Sequence, residues 1–150
     1  MSGVVSYDLF TTRIGSGSNG FTSEGGMYET FINNTGTSVK GTVVNASITV
    51  GNAVDIAPAN TPLPIGVIYN SGIANGSSVK VVVYGKAQVL LKNSEVATVG
   101  YWCGVSDVAG RMYQQATVPS TTDHNREVGH SLATTASGTN VLSLIQMHFN

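Results

Sequence analysis

Charge is scarce in this chain. Asp, Glu, Lys and Arg make up 10% of its 150 residues, against roughly 25% in an average soluble domain. The net charge is −1, which excludes a general electrostatic pull toward nucleic acid or an anionic membrane. The basic residues are dispersed and form no stripe. There is one cysteine, Cys103, so no disulfide forms within the chain. Its neighbourhood, "VGYWCGVS", offers no histidine or cation to activate a thiolate, and it reads as a small buried apolar residue. Nothing approaches the ~20 consecutive apolar residues of a membrane helix. The start, "MSGVVSYDLF", has neither a basic segment nor an apolar run, which predicts synthesis in a cytosol without a secretion signal. The N-x-[ST] triplets at Asn33, Asn45 and Asn75 then carry no weight. Helical periodicity is almost absent too.

What the chain has is valine, threonine and glycine. Low charge with many β-branched residues predicts a folded chain. The apolar patterns are short runs or alternate with period two. "VKGTVVNASITV" (39–50) alternates and then shifts, as at a bulge. "AVDIA" (53–57) follows a Gly51–Asn52 hairpin turn. "APANTPLP" (57–64) holds three prolines, which excludes a central strand. "IGVIYN" (65–70) is a short strand. "VKVVVYGKAQVLLK" (79–92) is the clearest strand, broken at Gly85 by a bulge or a corner between sheets. Short strands follow around Tyr101–Trp102 and Met112–Tyr113, then a loop at 119–125. Two last strands, 126–135 and 139–149, are joined by "ASG". Turns every 8–12 residues predict an all-β fold: an antiparallel β-sandwich or barrel-like domain.

Residues 1–36 differ from the rest. They are rich in Gly, Ser, Thr and Asn, with isolated aromatics and too few apolar residues for a core. They read as an extended N-terminal arm before a β-domain at 37–150. Tyr7, Leu9 and Phe10 would be its apolar anchors, and Arg13 a cation for a partner carboxylate.

Within the arm, "GSGSNG" (15–20) matches G-x-G-x-x-G. A dinucleotide site needs a strand before that motif, a helix after it and an acid about 20 residues on. Here "FTSEGGMYETF" follows and Lys40 stands where the acid belongs, so the glycines read as a flexible joint. Of the three histidines, Asp123–His124 with His130 is the one conceivable metal cluster, and it lacks a ligand motif. Acids at Glu24, Glu29, Asp55, Glu95, Asp107, Asp123 and Glu127 form no pair by spacing. G-x-S-x-G is absent. Trp102, Tyr101 and Tyr113 suit a core or subunit contact better than a carbohydrate platform. The reading is no enzyme, no catalytic residue, no cofactor and no metal.

Five segments carry a resemblance: "PIGVIYNSGI" (64–73), "VKVVVYGKAQVLL" (79–91), "TVGYWCGVSDVAGRM" (98–112), "REVGHSLAT" (126–134) and "VLSLIQMHF" (141–149). In this succession the chain resembles the small all-β capsid decoration (cement, or auxiliary head) proteins of tailed bacteriophages. The resemblance covers a little over half the chain and leaves 1–36 unmatched. It implies a non-enzymatic virion protein that binds the major capsid protein on the capsid exterior and stabilises the shell. It also implies self-association, with a trimer favoured, and no nucleic-acid or membrane partner. The alternatives are another virion component, such as a head fibre, tail or baseplate module, or a carbohydrate-binding β-module.

Overall fold

In a computed structural model of the chain, which describes residues 19–148, the all-β expectation is realised as one sheet of ten strands. In chain order they are β1 (Asn19–Phe21), β2 (Gly26–Asn33), β3 (Val43–Ala46), β4 (Ala53–Ile56), β5 (Gly66–Ile68), β6 (Ser78–Leu90), β7 (Trp102–Val105), β8 (Met112–Gln115), β9 (Glu127–Ser131) and β10 (Leu142–Met147). One helical turn, α1 (Thr121–His124), precedes β9. The order in space is β1-β2-β4-β3-β5-β6-β10-β9-β7-β8, and β2 also pairs with β6. That extra ladder closes β2, β4, β3, β5 and β6 into a circuit, the barrel-like part of the fold. From the far half of β6 the sheet continues as an open wing, β10-β9-β7-β8. Against the antiparallel expectation, β2 and β4 run parallel.

Strand β6 belongs to both parts. Its first half pairs with β2 and β5, and its second half with β10. The change falls at Gly85, the residue whose position in the sequence reads as a bulge or corner. Its φ is 83°, and a Cβ there would sit 2.8 Å from the Gly25 carbonyl oxygen. Only glycine takes that backbone conformation at low cost while another chain segment lies so close.

Two apolar clusters fill the molecule. The smaller contains Val44, Val54, Ile68, Val79 and Val81, with Phe31 packed against it. Every strand of the circuit contributes to it. The larger joins Val43, Val67 and Val82 to wing residues such as Cys103, Met112, Val128, Ile145 and Met147. Adjacent residues Val43 and Val44 thus serve different cores, and both are fully buried. A strand covered on both faces is apolar on both; the shift expected as a bulge at Ile48 and Val50 instead falls past the end of β3, in the turn toward β4, where Ile48 is 96% exposed.

The sequence assigns 19–36 to the arm, and here the structure corrects the boundary. Strand β2 pairs with β6 from Gly26 to Ile32 and with β4 at Ile32 and Asn33. The sheet therefore begins by residue 19, not 37. The strand is hard to read because its side chains are mostly half-exposed; backbone ladders hold it more than burial does. Asn33, the first residue of an N-x-[ST] triplet, is fully buried. Its amide donates to the carbonyls of Gly36 (2.7 Å) and Ile73 (2.8 Å), so it clamps two loops. The predicted loop at 119–125 contains α1, whose first turn is capped by Ser120 accepting from the Asp123 N–H. Among the described residues no helix is long and apolar enough to cross a membrane.

Candidate functional site

All three histidines of the chain converge on one carboxylate. Glu127, at the start of β9, is 2% exposed. His124 Nδ1 lies 2.7 Å from its Oε2. His148 Nε2 lies 2.9 Å and His130 Nε2 3.6 Å from its Oε1. The three imidazoles are only partly exposed and form the outer layer over the acid. The single tryptophan completes the group. Trp102 packs its ring on His130 with centroids 4.3 Å apart, and meets His124 edge-on at 6.1 Å. His130 and His148 are themselves 4.9 Å apart, centroid to centroid.

The ladder explains most of this. Trp102 on β7 stands directly opposite His130 on β9. On β10, Gln146 stands opposite His130, so His148, two residues on, falls on the same face. Glu127 does not fit simple alternation. Three residues before His130, it belongs on the opposite face of a regular strand. The register between β7 and β9 shifts: Cys103 pairs with Gly129 but Gly104 with Glu127. Val128 is the extra residue, and it drops into the larger core. The bulge reverses the parity and returns Glu127 to the histidine side. Gly129 makes the bulge possible. Its φ is 154°, and a Cβ there would collide with the Gln146 carbonyl oxygen.

Chemically this is a donor set of two imidazole nitrogens and one carboxylate oxygen, all within 4.8 Å of one another. Of these, the sequence singles out only His130, grouped with Asp123 and His124 and rejected as a metal site. It misses Glu127 and His148 as the partners of His130. The repeated three-residue step His124–Glu127–His130 was the available signal, but on a loop followed by a strand such a step indicates no shared face. Trp102 is half-buried against His130.

Three of the scattered acids meet elsewhere. Glu95, Asp107 and Asp123 line an open cleft of about 420 Å³ together with Lys92, Tyr113 and Arg126. Each has a structural engagement. Glu95 accepts from the Gln114 N–H at 3.1 Å. The Lys92 ammonium, 2.7 Å from Asp107, holds that carboxyl below the usual range. The Ser120 hydroxyl, followed by the Arg126 guanidinium, does the same for Asp123. Carboxylates held ionised this way are poor general acids.

Cys103 is buried as the sequence predicts, at 1% exposure. Burial pushes its thiol up to about 12, outweighing the Gln114 amide that favours the thiolate, and the charge of Glu127 adds to the rise. In the folded protein it is expected to stay silent to a colorimetric disulfide reagent at pH 8 and to react with one equivalent after denaturation in urea. Rapid reaction of the native chain would contradict this burial.

Tyr7, Leu9, Phe10 and Arg13, the expected partner contacts, lie outside the described residues. No family model matches the chain, and no curated protein matches it.

Proposed function

We propose that this chain is a non-enzymatic structural protein of a phage virion that binds the outer capsid surface and stabilises the shell. The observation that carries the reading is where the five resembling segments fall. They hold β5, β6, β7, β9 and β10, which neighbour one another without interruption as β5-β6-β10-β9-β7. They also supply the larger core except for Val43, Ala57 and Ala97. The resembling segments thus form one packing unit, which is consistent with a shared β-domain. The low charge is consistent with a protein whose surface is covered by neighbours, since desolvating ionised side chains is costly.

In this reading each copy buries area across junctions between capsid subunits. Binding only the assembled, mature lattice opposes rupture by mass action. Residues 1–18 would add the reach: Tyr7, Leu9 and Phe10 as anchors, Arg13 as a charge partner, and Gly15 and Gly17 as the joint, whereas Gly20 of the same "GSGSNG" run is buried in β1 opposite Tyr28. The capsid protein and further copies of this chain are the proposed partners, at the exterior of a virion assembled in the host cytoplasm.

The test is co-sedimentation with mature capsids of the same phage. Saturable pelleting is expected, at a stoichiometry set by the lattice, with capsids that resist heat to a higher temperature. Deleting residues 1–18, which spares β1, is expected to weaken binding at least tenfold. Unchanged affinity would remove the arm from the proposal. No pelleting with intact heads would overturn decoration and leave the tail, fibre and glycan-binding readings.

A further inference from the structure

We infer that Glu127, His130 and His148 form a binding site for one divalent first-row transition-metal ion, of the Zn²⁺ class. The inference is independent of the capsid reading. It rests on the convergence of two imidazoles on a single buried oxygen, Glu127 Oε1. Their Nε2 atoms lie 2.9 Å and 3.6 Å from it. Ligand atoms around a tetrahedral ion with bonds of about 2.0–2.2 Å stand roughly 3.3–3.5 Å apart, so the two spacings bracket the required one. The widest spacing in the triad is within 4.8 Å. Closing it takes a modest rotation of rings that are 35% and 38% exposed.

The surroundings match a metal site as well. His124 Nδ1 holds the second carboxylate oxygen at 2.7 Å, which orients Oε1 toward the other two histidines. Trp102 packs on the His130 ring and limits its rotation. Partners of this kind fix ligand orientation in metal centres. Imidazole and carboxylate donors suit Zn²⁺, Co²⁺ or Ni²⁺ better than Mg²⁺ or Ca²⁺, which take oxygen-rich shells. Three protein ligands leave a tetrahedral ion one position for water or for a group from a partner. The half-exposed rings give the ion its way in. A bound ion would join the start of β9 to the end of β10, locking the outer end of that strand pair.

The experiment uses the full chain without a histidine tag, stripped with EDTA and dialysed. Zn²⁺ is titrated by calorimetry and Co²⁺ by visible absorption, and the lone Trp102 reports occupancy by quenching with Ni²⁺. One ion per chain is expected, with a melting midpoint about 5–10 °C higher at a hundredfold excess over Kd. His130→Ala and His148→Ala are each expected to abolish saturable binding. His124→Ala removes only the outer hydrogen bond and is expected to weaken binding about tenfold. The circular dichroism of each variant without metal shows that it folds. Absence of binding by all three ions would overturn the site and leave a hydrogen-bonded cage around Glu127. Binding that survives both His130→Ala and His148→Ala would overturn it equally, as adventitious surface binding.

Discussion

Replacing Gly129 by alanine is expected to cost roughly 2–6 kcal/mol of folding stability, a large share of the ~5–15 kcal/mol that holds a typical domain together. Two costs act together. At φ 154° an L side chain is strained. The new Cβ would also run into the Gln146 carbonyl oxygen and approach the Met147 Cα at 2.9 Å. These are backbone atoms of β10, paired with β9 at this point, so relief means opening the ladder. Opening it draws His148 away from His130 and the Trp102 packed on it, so the emission of Trp102 should change along with the urea midpoint. Gly51→Ala is the matched control. Gly51 sits in the turn before β4 with no heavy atom within 4 Å of an added Cβ, and a change within about 0.5 kcal/mol is expected. Equal urea midpoints for the two variants would show that the bulge tolerates a side chain and that the close approach of β9 to β10 is not constraining.

Ile145→Ala is expected to cost about 3–5 kcal/mol and to lower the melting midpoint by about 6–20 °C. Ile145 is fully buried in the larger core. Its strand neighbours are short: Ala87 on β6 and Ser131 on β9. Neither is long enough to fill the space an alanine would leave. This places the expected loss in the upper part of the usual range for such truncations. Leu142→Ala, on the same strand but 36% exposed, is expected to cost less than about 1 kcal/mol. Thermal melts of the two variants side by side decide the matter. A small loss at Ile145 would mean that the wing repacks freely and does not share a rigid core with the circuit.

The fold class was legible in the sequence because its signals are local. Valine runs, proline at 58, 62 and 64, and turns at Gly51–Asn52 mark strands and gaps wherever they stand. The corner at Gly85 was legible for the same reason, since a lone glycine inside a valine strand breaks the pattern. Strand β2 was not. "GMYETFIN" places Glu29 and Thr30 among its apolar residues and keeps most of its side chains half-exposed. Its membership comes from ladders to β6 and β4, which are distant in sequence. The histidine–glutamate cluster was illegible for a sharper reason. Alternation puts Glu127 and His130 on opposite faces, and one extra residue, Val128, reverses that parity. His148 joins only through the β9–β10 register. A bulge of one residue therefore hid the whole constellation, although its members share one short stretch and the strand that pairs with it.

The position of β10 also sets an order of events during synthesis. It lies between β6 and β9, so those two strands meet only through it. Until residues 142–147 have left the ribosome, β6 exposes one unpaired edge along its second half, and β9 has β7 alone for a neighbour. The circuit is complete at residue 90, because β2, β4, β3, β5 and β6 precede that point. The nascent chain thus passes through a stage with one half closed and the other awaiting its central strand. An unpaired edge is a template for pairing with other chains, and incomplete sheets are prone to aggregate. The interval between residue 90 and residue 147 is therefore the aggregation-exposed part of its synthesis.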